Sequence, residues 1–296
     1  MSAEQAPERH PRDRLAPALG LWDATLLVVS GVIGSGIFLT PGAIAGYLPH
    51  PGAILAAWLV GGLLSLAGAL ANAELAAMYP RAGGDYVYLR EAFHPAAGFL
   101  VGWLSFFVIY AGTIATLAAG FAAGLGHFVA LGPRGEPAVA VALTLAVSAL
   151  NYVGVRWGAR ANNLTAVVKL AALAAFGLLG PLAGRGDAGN LRPLVAGLGA
   201  LSWSGFGLAL SPVLFSYLGW NSSVYVASEI RDPSRNLPRS LFLGVALCTV
   251  IYLLVNAVYL YAIPAPALAG VTNAGEAAAR AGLSSRSSCW PRSSAR

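Results

Sequence analysis

Gly31-Val32-Ile33-Gly34-Ser35-Gly36-Ile37-Phe38 interrupts an apolar run that extends from Leu21 to Gly46. At ~1.5 Å of rise per residue this run is longer than the ~30 Å hydrocarbon core of a bilayer, so it can span a membrane. Three glycines and a serine within six positions at mid-depth are poor helix formers. In lipid, an unwound backbone persists only where it is buried in protein or lines a water-filled cavity. The break therefore marks a cavity. A helix interrupted there offers the partly positive N-terminus of its second half and the free carbonyls of its first half, and a zwitterion can use both. A kink or a small-residue packing patch between helices would produce a similar sequence.

Composition points the same way. Of the 296 residues, 57% are hydrophobic and only 10% are charged, against about 25% charged in soluble domains. Seven apolar stretches can be marked, at 21–46, 52–79, 96–131, 137–154, 162–183, 194–228 and 239–263. Each is long enough to predict a transmembrane helix, and together they predict an all-α integral membrane protein. Residues 1–20 contain Pro7, Pro11 and Pro17 among mixed charges and lack the apolar centre of a signal peptide, so they read as a cytoplasmic tail.

The net charge of +6 could suggest a nucleic-acid partner, but its distribution gives a different reading. Arg9, Arg12, Arg14, Arg81, Arg90, Arg156, Arg160, Arg231, Arg235 and Arg239 fall in the tail and in every second loop, whereas the alternate loops hold Arg134, Arg185 and Arg192. By the positive-inside rule the N-terminus is cytoplasmic. Basic charge thus orients the chain, and no nucleic-acid surface is expected. Cys248 lies in an apolar stretch and Cys289 in the last polar residues, so no disulfide framework or cysteine metal site is expected.

A second interruption, Phe215-Ser216-Tyr217-Leu218-Gly219-Trp220-Asn221-Ser222-Ser223, breaks the sixth apolar stretch five helices after the first. Interrupted segments at corresponding positions of two halves are the sequence pointer to a transporter site built from inverted repeats, with the boundary near the glycine-rich loop Gly184-Arg185-Gly186-Asp187.

The first break, Glu74-Leu-Ala-Ala-Met-Tyr-Pro-Arg-Ala-Gly-Gly-Asp-Tyr-Val-Tyr-Leu-Arg-Glu-Ala-Phe93, Phe215-Ser-Tyr-Leu-Gly-Trp-Asn221 and Glu229-Ile-Arg-Asp-Pro-Ser-Arg-Asn-Leu-Pro-Arg239 occur in that order. Together they resemble the signature stretches of amino acid permeases of the amino acid-polyamine-organocation superfamily, and most closely the L-type amino acid transporter branch. The resemblance runs from about Leu19 to about Arg280. It implies the inverted-repeat fold of the bacterial leucine transporter, with helices one and six discontinuous. On that reading residues 21–183 form the first five-helix repeat, 194–263 supply the first two helices of the second, and 264–296 form an extracellular loop and a polar tail.

Carried onto this chain, the resemblance implies that backbone N–H groups around Ser35, Gly36 and Ile37 bind the substrate carboxylate. Carbonyls of Val32, Ile33, Phe215, Ser216 and Leu218 would receive the ammonium. It also implies that the Phe215 ring closes over the substrate. Several relatives carry paired glycines before the tryptophan, where this chain has Leu218 and Gly219. If the leucine faces the site, small or medium neutral side chains are favoured, by ~1–3 kcal/mol per methylene.

Seventeen of the eighteen basic residues are arginine, and the one lysine, Lys169, lies within the fifth stretch. An ammonium near mid-helix is a functional-site candidate by default. If the helix begins near 162, however, Lys169 sits about 10 Å in and could snorkel to the interface. Asn162-Asn163-Leu-Thr-Ala-Val-Val-Lys169 resembles the helix-five motif of sodium-independent members, which implies that Lys169 occupies the place of a sodium ion and bridges to the unwound first helix. His10, His50, His94 and His127 form no ligand cluster, no nucleophile–base arrangement stands out, and neither a cofactor nor an enzymatic activity is expected.

Residues 283–296 read Leu-Ser-Ser-Arg-Ser-Ser-Cys-Trp-Pro-Arg-Ser-Ser-Ala-Arg, a polar text where an eighth helix is expected, and this predicts a fragment that does not transport alone. The function expected is a sodium-independent permease for neutral amino acids in the cytoplasmic membrane, working by exchange or proton coupling. The competing reading is a non-transporting scaffold or a partner subunit. The partners expected are an amino acid substrate and the lipid bilayer, and a partner subunit is left open.

Overall fold

The structure, a computed structural model, describes residues 17–79, 81–126, 128–182, 186–192 and 202–283. Most of the expected N-terminal tail, Gly184-Arg185 of the expected boundary loop, the start of the sixth stretch, His10, His127, and the polar text after Leu283 lie outside the described residues.

Every described element is helical, apart from one isolated parallel bridge between Leu19 and Ile230. Helix α1 (Leu21–Val32) stops at the first break. The chain resumes as α2 (Gly36–Leu39) and α3 (Pro41–Tyr47), followed by α4 (Pro51–Met78), α5 (Asp85–Ala92) and α6 (Pro95–Leu104). A π-helical turn (Ser105–Tyr110) joins α6 to α7 (Ala111–Gly126). Then come α8 (Gly132–Val153), α9 (Val155–Leu182) and α10 (Trp203–Ser216). A 3₁₀ helix (Ser222–Glu229) precedes α11 (Pro233–Ala262), α12 (Ala265–Leu268) and α13 (Ala274–Leu283).

Six of these helical runs are long and apolar enough to cross a membrane: Leu21–Leu39, Pro51–Met78, Pro95–Gly126, Arg134–Val153, Val155–Leu182 and Pro233–Ala262. The sequence predicts seven. The described part of the remaining one is α10, with 14 residues. Two other boundaries depart from expectation. Helix α9 begins at Val155 rather than 162, because Arg156 and Arg160 continue the helix instead of marking a loop, with Arg160 lying 5.2 Å over the Trp157 ring. Lys169 is therefore at the middle of a 28-residue helix, roughly 20 Å from its start, about twice the distance counted from residue 162. Residues 265–283 are also not plain loop. They form α12 and α13, and Gly275 of α13 lies so close to Phe38 that a Cβ there would be 2.7 Å from the ring.

The chain divides into two compact units. One holds the described residues up to Ala24 together with Asn72–Asn163 and Asn221–Arg239. Within it α5 packs on α6 and α7 on α8. The start of α1 is tied in twice: Asn163 Nδ2 donates to Asp23 at 2.6 Å, and the backbone N–H groups of Ala18 and Leu19 both donate to the Glu229 carbonyl at 2.9 Å. Burial of Glu229 raises its carboxyl above the usual carboxylate range.

The other unit holds Thr25–Ala71, Leu164–Trp220 and the described residues from Ser240 onward. Its core is aromatic. Trp58, Tyr217 and Tyr252 have no exposure and their rings meet at centroid distances of 5.1 to 6.0 Å, in tilted and edge-on arrangements that suit aromatic quadrupoles. The Tyr217 hydroxyl donates to the Trp58 carbonyl at 3.1 Å. The first break and residues 215–220 of the second belong to this unit, and the aromatic core contains Tyr217, the residue that follows α10.

Candidate substrate site

The first break is narrow. Only Ile33, Gly34 and Ser35 leave the helix, and α2 restarts at Gly36. The N–H groups of Phe38 and Leu39 turn back on the Ser35 carbonyl at 3.0 and 3.1 Å, and that of Thr40 on the Gly36 carbonyl at 2.9 Å. The N–H groups of Ser35, Gly36 and Ile37 find no acceptor among the described residues. These are the orphan donors of a helix start, which carry its partial positive charge. The Ser35 side chain makes no capping bond and is exposed.

Val32, Ile33 and Ile37 bury their side chains almost completely. What they can offer a ligand is therefore backbone. The Ile33 carbonyl accepts from Lys169 Nζ at 3.1 Å, so the ammonium on α9 and the end of α1 meet directly. The Val32 carbonyl faces the Tyr252 hydroxyl of α11 at 2.8 Å, and the Ser216 carbonyl faces the same hydroxyl at 3.0 Å. A phenol has one proton. It donates to one of these carbonyls at a time or is shared between them, so Tyr252 links the last carbonyl of α1 to the last carbonyl of α10.

The two breaks also touch. A Cβ on Gly36 would sit 2.8 Å from Ser216 Oγ and 2.9 Å from Ser216 Cα. Glycine is there because the backbone of α2 lies against Ser216. Thr40 Oγ1 and Ser216 Oγ are 2.9 Å apart, Thr40 Oγ1 also reaches the Gly36 carbonyl at 2.9 Å, and Ser216 Oγ the Pro212 carbonyl at 3.0 Å. Two proton arrangements satisfy this chain, running either from Ser216 through Thr40 to Gly36 or from Thr40 through Ser216 to Pro212.

The second break is built differently. Helix α10 ends at Ser216, the N–H groups of Tyr217 and Leu218 fold back on carbonyls of the last turn, Leu218 to Phe215 at 3.2 Å, and no α-helix resumes before α11. Gly219 has φ +99°, and a Cβ there would be 2.5 Å from the Gly31 carbonyl oxygen. Only glycine is free of both the strain and the clash. Phe215 and Leu218 are 62% and 58% exposed, so neither ring nor leucine is consumed by the core.

All nine residues singled out from the sequence thus fall in one unit, and Val32, Ile33, Gly36, Ser216 and Lys169 are linked by direct contacts or through Tyr252. Thr40 and Tyr252 were missed. Thr40 sits in the linker to α3 and Tyr252 in an unbroken apolar helix, and neither position has a local sequence signal. A cavity of ≈ 530 Å³ lies elsewhere, between α7 and α8, lined by Ala115, Ala118, Ala122, Pro137 and Thr144 among others, and it includes none of the nine.

Comparison with known proteins decides the family. Residues 19–287 match the amino acid permease family. The chain belongs to that family. It is 31% identical over 260 residues to the serine/threonine exchanger SteT of Bacillus subtilis (strain 168), covering 86% of this chain and 58% of that protein. It is 34% identical over 251 residues to the b(0,+)-type amino acid transporter 1 of Rattus norvegicus, covering 83% and 51%. It is also 33% identical over 265 residues to the large neutral amino acids transporter small subunit 2 of Homo sapiens, covering 84% and 48%. The chain spans about half the length of the curated relatives it matches. Family and helices together make it a multi-pass membrane protein, and the resemblance read from the four motifs holds.

Proposed function

We propose that this chain carries the substrate site of a permease that moves neutral amino acids across the cytoplasmic membrane by alternating access, without sodium. The observation that carries the reading is the first break: three N–H groups without acceptors at the start of α2, beside an α1 carbonyl end already engaged by Lys169 and Tyr252. The donors suit a carboxylate. Carbonyls of the second break, with those of Val32 and Ile33, suit an ammonium, which would displace or share the proton of Tyr252. The Lys169 ammonium puts a fixed or titrating positive charge on the α1 carbonyl end, a place where a sodium ion would otherwise be needed. The exposed side chains of Phe215 and Leu218 fit a pocket for small or medium neutral side chains. In this reading α1 and α10 are equivalent helices of two inverted repeats, and the N-terminus faces the cytoplasm.

The test is equilibrium binding of L-serine, L-leucine and L-tryptophan to the purified 296-residue protein, in sodium and in choline buffer, with the methyl ester and the N-acetyl derivative of the best binder as controls. Saturable binding that is indifferent to sodium, is lost with either blocked derivative and is weakest for L-tryptophan is the expected result. Binding that survives esterification would remove the carboxylate from the α2 donors, and a strict sodium requirement would remove Lys169 from its assigned role.

A further inference from the structure

Outside the substrate site, a polar contact network lies in the other unit, around Tyr225 of the 3₁₀ helix. Its hydroxyl donates to Asp85 Oδ2 at 2.9 Å and accepts from Asn221 Nδ2 at 2.9 Å, while the same amide nitrogen reaches Asp85 Oδ2 at 3.4 Å. The three side chains close a ring in which every donor has an acceptor. The aromatic ring is held as well: Tyr110, the last residue of the π-helical turn, meets it edge-on at 5.8 Å and 85°. On its other contacts, Gly83 N donates to the Tyr225 carbonyl at 3.3 Å, and Gly84, at φ +49°, lies so close that a Cβ would be 2.7 Å from the ring.

Two features make this more than packing. Asp85 has no cation against it among the described residues, so its carboxylate is satisfied by neutral donors, one from Tyr225 and one from Asn221. Such bonds are stronger than neutral ones, yet no salt bridge makes them permanent. Tyr88, in the same short helix, stays neutral: burial and then the Asp85 charge push its hydroxyl up to about 12. The second feature is placement in the chain. Asn221 follows Gly219-Trp220 directly. The backbone leaving the second break is therefore fastened within two residues of its left-handed glycine.

We propose that Asp85, Tyr225 and Asn221 form a latch that holds the chain leaving the second break, making Asp85 and Tyr225 positioning residues for the substrate site. The transport meaning of the latch rests on the permease reading, but the latch itself does not. When it is closed, the Gly83-Gly84-Asp85 loop and the 3₁₀ helix move as one. When it opens, the stretch after Gly219 loses its side-chain tie to Asp85 and keeps its packing against Tyr110 and Gly84.

Hydrogen exchange on the full 296-residue protein, with and without saturating L-serine, tests this in the unmodified chain, Tyr225→Phe and Asp85→Asn. Phenylalanine keeps the ring against Tyr110 and Gly84 and removes only the hydroxyl. The expected result is faster amide exchange, by about tenfold or more, in both 83–87 and 221–229, with the exchange of α7 and α8 unchanged. L-Serine should slow exchange at 221–229 in the unmodified protein and much less in Tyr225→Phe. Unchanged exchange in Tyr225→Phe would overturn the latch, as would a rise spread over all helices, which would mark a general loss of stability. A local rise without any response to L-serine would support the latch and count against the permease reading, so the two fail separately.

Discussion

The first break and the start of the second, residues 215–220, sit in one unit and touch, yet they leave opposite chemistry available. The first restarts as helix within three residues and presents N–H groups at Ser35, Gly36 and Ile37 with no acceptor among the described residues. The second turns its own N–H groups back on α10, bends at Gly219 and continues as a 3₁₀ helix. One is donor-rich and the other ends in carbonyls, of which that of Ser216 is already engaged by Tyr252. Two breaks alike in composition therefore differ in hydrogen bonding. That asymmetry is what a zwitterion needs, because its two ends require opposite partners.

The largest test of this contrast is Gly219→Ala. It places a methyl against the Gly31 carbonyl in a backbone conformation that disfavours alanine. The strain at φ > 0 alone costs ~1–3 kcal/mol, and the clash adds to it. The expected outcome is a sharp fall in the thermal midpoint and in the yield of monodisperse protein. A normal midpoint would mean that the second break is loose rather than built.

Gly36→Val comes next. Its branched side chain would meet Ser216 and drive α2 away from α10, an overpacking of ~1–3 kcal/mol, so amino acid binding should fall by roughly 5- to 150-fold. The structure gives this loss a cause beyond a blocked carboxylate, namely separation of the two breaks. Pairing with Ser216→Gly sharpens the test, because removing the hydroxymethyl should recover part of the binding if contact between the breaks is the cause.

Smaller effects separate the two carbonyl ties. Lys169→Met keeps an apolar stem but takes a charged donor from the Ile33 carbonyl, a loss of ~1.5–3 kcal/mol. Isothermal titration should register binding weaker by ~10-fold or more. Tyr252→Phe removes a proton shared by two carbonyls and should cost ~1 kcal/mol of stability, read as a modest drop in thermal midpoint.

The smallest is Ser35→Ala. The side chain is exposed and caps nothing, so binding should change less than about twofold, within the ±0.5 kcal/mol of an ordinary surface substitution. A large loss would show that the hydroxyl, not the backbone N–H, meets the ligand.

Much of this was legible in the sequence, though unevenly. Gly34, Ser35 and Gly36 announced the first break because a cluster of poor helix formers in an apolar run has few other uses. Lys169 stood out because a lone ammonium within such a run is costly. Helix limits were less legible. Arg156 and Arg160 looked like loop residues, yet they continue α9, since charge at a helix end marks where the membrane stops and not where the helix does. Thr40 and Tyr252 carried no signal at all, because a hydroxyl in an apolar helix acquires its role only from the carbonyl opposite it.

By itself, then, the sequence determined that the chain is built of long apolar helices, where two apolar segments break and which residue types stand at the breaks. These are properties of a short stretch of chain exchanging water for hydrocarbon, and composition decides them. Only the tertiary structure decided that Gly36 lies against Ser216, that one phenolic proton serves the carbonyl ends of both α1 and α10, and that Lys169 reaches the Ile33 carbonyl from mid-helix. Each of these depends on which backbone group is left without a partner when separate helices pack. No single segment carries that information, because the donor and the acceptor lie from 36 to 220 residues apart in the chain.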